Sequence, residues 1–470
     1  MRRLIPVTIV VLLILVACTS PAGEPTATTT VPASATTQAS TTTTSAPTTT
    51  TTVPVGAGIT TDGITVTDDT IYIGLLADLT GPFSGNVVDL VDAQLAFWSK
   101  LNDEGGIAGR SVELLIGDTG YDPARHVELY RELRDRVVFF SHSTGSPHTA
   151  GIAGELVADD RLALAVSWYS GWADPAFGAN VLETGSNYCV EAMNAISYLA
   201  AAHEQATGEK PAIAIATDAG DYGQDSAAGA RYAAEALGLT IAYDGEAEVQ
   251  FGSGNAAVAQ AIARSGADWT WLATDPITVA EILSGALSQG YAGAWSGAMP
   301  SFSPRLLDTA LGDYLSQAWV LSVLFAPVGA DVAGMDEVYA VLADAFPGRF
   351  PADGLIRGYL EYSVTRQILE RAAELGDMTP QGVLAAAREV ETLFFDGISP
   401  ANNYGATLDD SVARATALYK PDKAMFDAQG GLEATFANGA VAPYQQIQGF
   451  FVSDIAADYE FTVPCYQYGQ

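Results

Sequence analysis

The sequence predicts an α/β protein of two similar lobes, each a doubly wound parallel sheet. Three observations carry this reading. Short apolar β-rich runs alternate with stretches of three- and four-residue apolar period, the alternation comes in two successive series, and the series divide near Thr184-Gly185. Such alternation implies parallel strands with helices on both faces and puts ligand sites at the carboxyl ends of the strands.

Before the first series lies a leader. Arg2 and Arg3 precede an apolar run from Leu4 to Ala17, short for a bilayer span but right for the core of an export signal. The run ends Leu15-Val16-Ala17-Cys18, which resembles a bacterial lipobox with Cys18 as the thiol that receives diacylglycerol; an ordinary secretory signal with a chance cysteine is the alternative. Residues 1–17 are thus the expected signal peptide, and 18–64 a lipidated cysteine followed by a tether. From Thr19 to about Gly58 the chain is almost entirely Thr, Ser, Ala and Pro, with Glu24 the only charge, a composition that cannot bury a core.

The first series begins with a strand at Ile71 to Leu76. Val87, Val91, Leu95, Trp98 and Leu101 then recur at helical spacing until Gly105-Gly106 stops the helix. Strands follow at Val112 to Ile116, Val137 to Phe140 and Leu162 to Val166, with helices at Pro123 to about Arg134 and Pro147 to Asp159 between them. A helix from about Val190 to Ala202 opens the second series. Its strands are Ala212 to Ala216, Thr240 to Tyr243, Trp269 to Ala273 and Trp295 to Gly297, and its helices Gly223 to Leu237, Ala256 to Ala263 and Ile277 to Ser288. Tyr314 to Asp396 is again mostly helical, notably Leu355 to Ala373 and Pro380 to Glu391. Two last strands are expected at Ala413 to Tyr419 and near Gln448 to Val452.

Charge and composition exclude several function classes. Lys+Arg number 21 against 55 Asp+Glu, a formal net charge of −34, so neither nucleic acid nor an anionic membrane surface suits the surface as a whole. Membrane attachment is expected only through the lipid on Cys18. Three Cys and four His without paired ligand spacing give no metal module. Gly252-Ser253-Gly254 lacks the rest of a dinucleotide fingerprint, so no cofactor is expected. Ser141-His142-Ser143 and Ser146-Pro147-His148 bring hydroxyls and imidazoles together, but no Gly-x-Ser-x-Gly elbow or ordered acid accompanies them, so the chain reads as a binder and not an enzyme.

Several segments are recognisable as they stand. Ile73-Gly74-Leu75-Leu76-Ala77-Asp78-Leu79-Thr80-Gly81-Pro82, then Leu101-Asn102-Asp103-Glu104-Gly105-Gly106-Ile107-Ala108-Gly109-Arg110, then Asp118 with Tyr121-Asp122-Pro123-Ala124, resemble the opening of type I periplasmic binding proteins of the branched-chain amino acid (leucine/isoleucine/valine-binding) group. Pro211-Ala212-Ile213-Ala214-Ile215 with Asp221-Tyr222-Gly223-Gln224 resembles the start of that family's second lobe. The likeness runs from about Thr70 to Met299 and weakens after it. It implies a three-segment hinge, with 65–185 and 314–405 as lobe 1 and 186–313 and 406–470 as lobe 2. It further implies an extracytoplasmic, monomeric lipoprotein that closes on a small molecule, an amino acid, amide or related small acid, and delivers it to an ABC transporter permease. A ligand sensor acting through a partner receptor is the alternative.

Pocket residues follow from the resemblance where the motif holds. The loop after the strand ending Phe140 holds a ligand carboxylate in the family, and Ser146 and Thr149 occupy it, where free amides at a helix N-terminus favour an anion. Ser146 also suits a simple N-cap before Pro147. After the strand ending Val166, Ser167, Trp168, Tyr169 and Ser170 replace the family's Pro and small residues, which implies stacking on a flat or apolar ligand unless they pack the lobe edge. Tyr222 matches a pocket tyrosine. No acid follows the Trp295-Ser296-Gly297 strand to hold an ammonium; Asp275 or Asp218 can substitute, and either can equally cap the next helix. An α-amino acid ligand is therefore in doubt.

With Cys18 lipidated, two cysteines remain in a compartment where thiols oxidise. A disulfide between Cys189 and Cys465 is expected, fastening a polar, aromatic tail from Tyr459 to Gln470.

Overall fold

The computed structural model describes residues 66–404 and 407–467, so the leader, Cys18 and the tether fall outside the described residues. Lobe 1 holds a sheet of five parallel strands. In chain order these are β1 (Thr70–Ala77), β2 (Ser111–Asp118), β3 (Phe139–Thr144), β4 (Ala163–Val166) and β5 (Val181–Leu182), and in space β2-β1-β3-β4-β5. Between them run α1 (Ser84–Asp103), α2 (Pro123–Leu133) and α3 (Ser146–Ala158). The first helix forms where the apolar spacing predicts it, burying Val87, Val91, Trp98 and Leu101, but Leu95 is turned to solvent and Phe97 takes its place in the core. Each such buried side chain stabilises by about 1.5–3 kcal/mol.

Gly105-Gly106 ends that helix. Gly106 has φ +66, and a Cβ there would lie 1.9 Å from the Arg110 carbonyl oxygen, so the turn requires glycine. The Asn102 side chain then donates to Val112 O at 2.9 Å and accepts from Val112 N at 2.8 Å, stapling the helix end to the next strand. This accounts for the Asn-Asp-Glu-Gly-Gly stretch as packing.

Lobe 2 follows α4 (Tyr188–Thr207). Its sheet takes β6 (Ala212–Asp218), β7 (Thr240–Val249), β8 (Trp269–Ala273), β9 (Ala294–Gly297) and β10 (Trp319–Val323), all parallel, with α5 (Asp221–Leu237), α6 (Ala256–Ser265), α7 (Pro276–Ser288) and α8 (Gly312–Ala318). The chain returns to lobe 1 for α9 (Met335–Ala345), α10 (Asp353–Leu375) and α11 (Pro380–Glu389), with α10 packed along α1. A small ribbon of β11 (Thr392–Leu393) and β12 (Asn402–Asn403) precedes the last passage to lobe 2. There β13 (Thr416–Pro421) and β14 (Tyr444–Phe451) extend the second sheet antiparallel, in the order β14-β13-β10-β9-β8-β6-β7.

Two expectations shift. The second passage was expected to begin near Tyr314, yet β10 still pairs with β9, so the chain leaves lobe 2 only after Val323. Strands β3 and β6 also run past their apolar cores to Thr144 and Asp218. Ser141 and Ser143 are buried in β3 because their hydroxyls bond to Gln94 (2.9 Å) and Thr149 (2.7 Å), which satisfies them without solvent.

Three crossings join the lobes, and they are stitched to one another. Gly185 N donates to Asn402 Oδ1 at 3.0 Å, and Tyr404 OH to Glu183 O at 2.6 Å. Ala326 N donates to Ile398 O at 2.7 Å, and Ser399 Oγ to Leu324 O at 3.1 Å. The three crossings are thus tied to one another by hydrogen bonds.

Candidate functional site

Strand order fixes where a ligand can enter. In lobe 1 the connections leave β1 and β3 in opposite directions, and in lobe 2 those after β6 and β8 do the same, so each sheet has a topological switch point at its carboxyl edge. The two switch points face each other. Between them lies a cavity of about 500 Å³, lined from lobe 1 by Phe83, Tyr121, Gly145 and Ser146, and from lobe 2 by Asp218, Tyr222, Phe251 and Met299. Its wall is largely apolar, with Leu90, Val166, Leu321, Val323, Phe325 and Phe350 completing it. Phe83 and Phe251 approach edge-on across the cleft, centroids 6.0 Å apart, so the lobes are closed over the space.

Ser146 and Tyr222 stand on the cavity wall. Gly145, at φ +94, turns the chain from β3 into α3 and occupies the cap position, so Ser146 is the first helical residue and no side chain caps the helix. Its hydroxyl is bonded to that of Ser167. Tyr222 is held by its hydroxyl at Thr274 O and Ser301 Oγ, both at 3.1 Å, and by the Tyr188 ring at 4.6 Å. Burial pushes that hydroxyl well above the ordinary tyrosine range, so it stays protonated.

The other expected contacts are corrected. Thr149 lies on the buried face of α3, bonded to Ser143, and Ser167 stands behind Ser146, accepting from Trp172 Nε1 at 3.1 Å. Trp168 faces the hinge, donating its indole N–H to Thr184 O at 2.8 Å. Tyr169 donates to Tyr466 O at 2.6 Å, while Ser170 bonds to Asp225 of α5 and accepts from Cys465 N at 2.9 Å. Tyr169 and Ser170 thus meet the C-terminal segment, not the cavity. Asp275 caps α7, accepting from Ile277 N (2.9 Å) and Thr278 N (3.1 Å). Asp218 stands on the wall: its Oδ1 is buried without a hydrogen-bond partner, and burial pushes the carboxyl well above its usual range. The expected bond between Cys189 and Cys465 is present, with Cα atoms 6.4 Å apart.

Sequence reasoning missed Tyr188, Asp353 and Arg357 on the wall. Arg357 carried a visible signal, being a lone cation in the apolar run Leu355 to Leu360 with Glu361 four residues on. In the structure α10 is buried on all sides there, Arg357 is 2% exposed, and its Nε donates to Glu361 Oε1 at 3.1 Å.

A family model described as periplasmic binding protein matches residues 70–424. Among solved structures, a fatty acid ABC transporter substrate-binding protein from Thermomonospora curvata is 25% identical with a TM-score of 0.74, over 86% of this chain and 97% of its own. A branched-chain amino acid ABC transporter protein from Thermus thermophilus with bound valine is 17% identical, TM-score 0.67, over 83% and 97%. A solute-binding protein from R. palustris in complex with 4-hydroxybenzoate is 15% identical, TM-score 0.65, over 82% and 97%. A comparison with curated proteins finds no match.

Proposed function

The chain belongs to the periplasmic binding protein family, solute-binding proteins of ABC transporters that hold small ligands, and on that premise we propose that its ligand is an acid with an extended apolar body, of the fatty-acid type. The observation that carries this is the cavity itself. About 500 Å³ with a largely apolar wall, including Phe, Leu, Val and Met side chains from both lobes, is far more apolar space than a short amino acid fills. The fatty acid protein of Thermomonospora curvata, at 25% identity, supports the same class. Closure of the hinged lobes would bury the ligand, and the complex would then dock on its permease from a lipid anchor at Cys18 outside the cytoplasm.

Calorimetric titration and thermal shift of the mature protein with dodecanoate, leucine and benzamide test this. Dodecanoate is expected to bind and to raise the melting temperature, since ligand at about 100 times its dissociation constant adds roughly 2.7 kcal/mol. Leucine or benzamide binding in its place overturns the reading. The anchor is tested separately: Cys18→Ser should leave unlipidated precursor that no longer partitions into detergent, and unchanged partitioning refutes it.

A further inference from the structure

We infer that Arg357 is the anchor for the ligand's carboxylate, and that the ligand is accordingly a monocarboxylate. This rests on the reading of the cleft as the site of an apolar acid and adds which group holds its head.

Arg357 is the buried cation of the cavity wall. The other arginine there, Arg305, lies exposed in the 3-10 turn Pro304–Asp308, where a carboxylate would stay hydrated. Arg357 is held rigidly before any ligand arrives. Its Nε donates to Glu361 at 3.1 Å, one Nη to Ala165 O at 2.9 Å, and the other to the Thr184 hydroxyl in the first hinge crossing. Its guanidinium carbon sits 4.9 Å from the centroid of the Trp168 ring. A guanidinium carries five N–H groups, so these bonds leave two without a protein acceptor.

Buried donors without acceptors cost free energy, and a carboxylate supplies paired acceptors in the geometry the guanidinium prefers. Glu361 balances the Arg357 charge and is itself fully engaged, taking Gln94 Nε2 at 2.5 Å and His142 Nδ1 at 2.8 Å on its other oxygen. The ligand therefore completes a preorganised site without having to compete for Glu361.

Asp353 limits the class further. It lies one turn before Arg357 on α10, also on the wall, with Oδ2 accepting from Tyr444 OH at 2.7 Å and Oδ1 without a partner. An ionised Asp353 repels a second negative charge, which disfavours dicarboxylates. Because Thr184 belongs to the hinge, a head group drawn to Arg357 also settles at the point about which the lobes turn.

The test is calorimetry with dodecanoate, 1-dodecanol and dodecylamine on the wild type, Arg357→Gln and the double variant Arg357→Met/Glu361→Gln, with circular dichroism to check folding. The wild type should prefer dodecanoate over dodecanol by about tenfold or more, and the variants by less than about twofold. A wild-type preference for the alcohol or the amine overturns the anchor whether or not the variants fold. An acid preference that survives in a folded variant also overturns it, while leaving the fatty-acid reading intact. If no twelve-carbon compound binds and leucine does, that reading falls and takes the anchor with it.

Discussion

Tyr222 and Trp168 look alike in the sequence, each an aromatic just past a strand end, yet they do different work. Tyr222 presents its ring to the cavity and ties its hydroxyl to Thr274 and Ser301. Tyr222→Ala should weaken dodecanoate binding by about 1–3 kcal/mol through lost aromatic contact, with Tyr222→Phe costing about 1 kcal/mol. Trp168 instead packs beneath Arg357 and bonds to the hinge, so Trp168→Ala should lower stability by about 3–5 kcal/mol. Calorimetric titration and urea denaturation of the variants check both, and unaltered affinity in Tyr222→Ala removes that residue from the site. The difference was not legible because the partners that claim the loop after β4 are remote: Ser170 and Cys465 are 295 residues apart. Ser146 and Tyr222 were legible because a strand end at a switch point places them regardless of the rest of the chain.

The C-terminal segment shows what an element without a core requires. Cys465 is bonded to Cys189 on α4 of lobe 2, while the neighbouring backbone meets Tyr169 and Ser170 of lobe 1 and Asp225 of α5. The segment is thus fastened covalently to one lobe and by hydrogen bonds to the other. Closing a loop across a sequence separation of 276 removes unfolded-chain entropy worth up to about 5–6 kcal/mol in the loop-closure model. Cys465→Ser should lower the melting temperature and speed amide exchange at Ser170 and Tyr466, measured by calorimetry and hydrogen exchange; protection equal to the wild type would show that the hydrogen bonds alone hold the segment. The regular elements were far easier to anticipate, since strand and helix periods repeat locally. Polarity misleads at Ser141 to Thr144, where hydroxyl-rich sequence suggests a loop yet the residues are buried as the end of β3. Nor does an apolar period say which sheet a strand joins, so the sequence near Tyr314 does not reveal that β10 still belongs to lobe 2.

At the scale of the whole molecule the lobes meet through carboxyls that have lost their water. Asp225 takes the Ser170 amide and hydroxyl across the junction, and Asp353 takes the Tyr444 hydroxyl. Burial pushes Asp225 up to about 7 and Asp353 up to about 6, while Glu191, within lobe 2 and bonded to Met299 N, rises to about 8 for the same reason. All three sit near 4 in an unfolded chain, so the folded protein holds more protons than the unfolded one through the interval between. Stability from these groups is therefore complete below about pH 4 and is lost as pH rises through about 6 to 8. Repulsion among the excess acids, at net −34, acts in the same direction. The melting temperature should consequently fall from about pH 5 to about pH 8, a window in which ordinary surface carboxylates are already ionised and contribute little slope. Asp225→Asn separates the buried group from the general repulsion, because it removes one titration at the junction and barely alters net charge. Calorimetric scans across that window should show a shallower fall in the variant. A wild-type melting temperature that rises with pH, or a variant slope equal to the wild type's, would mean that Asp225 already carries its charge in the closed molecule.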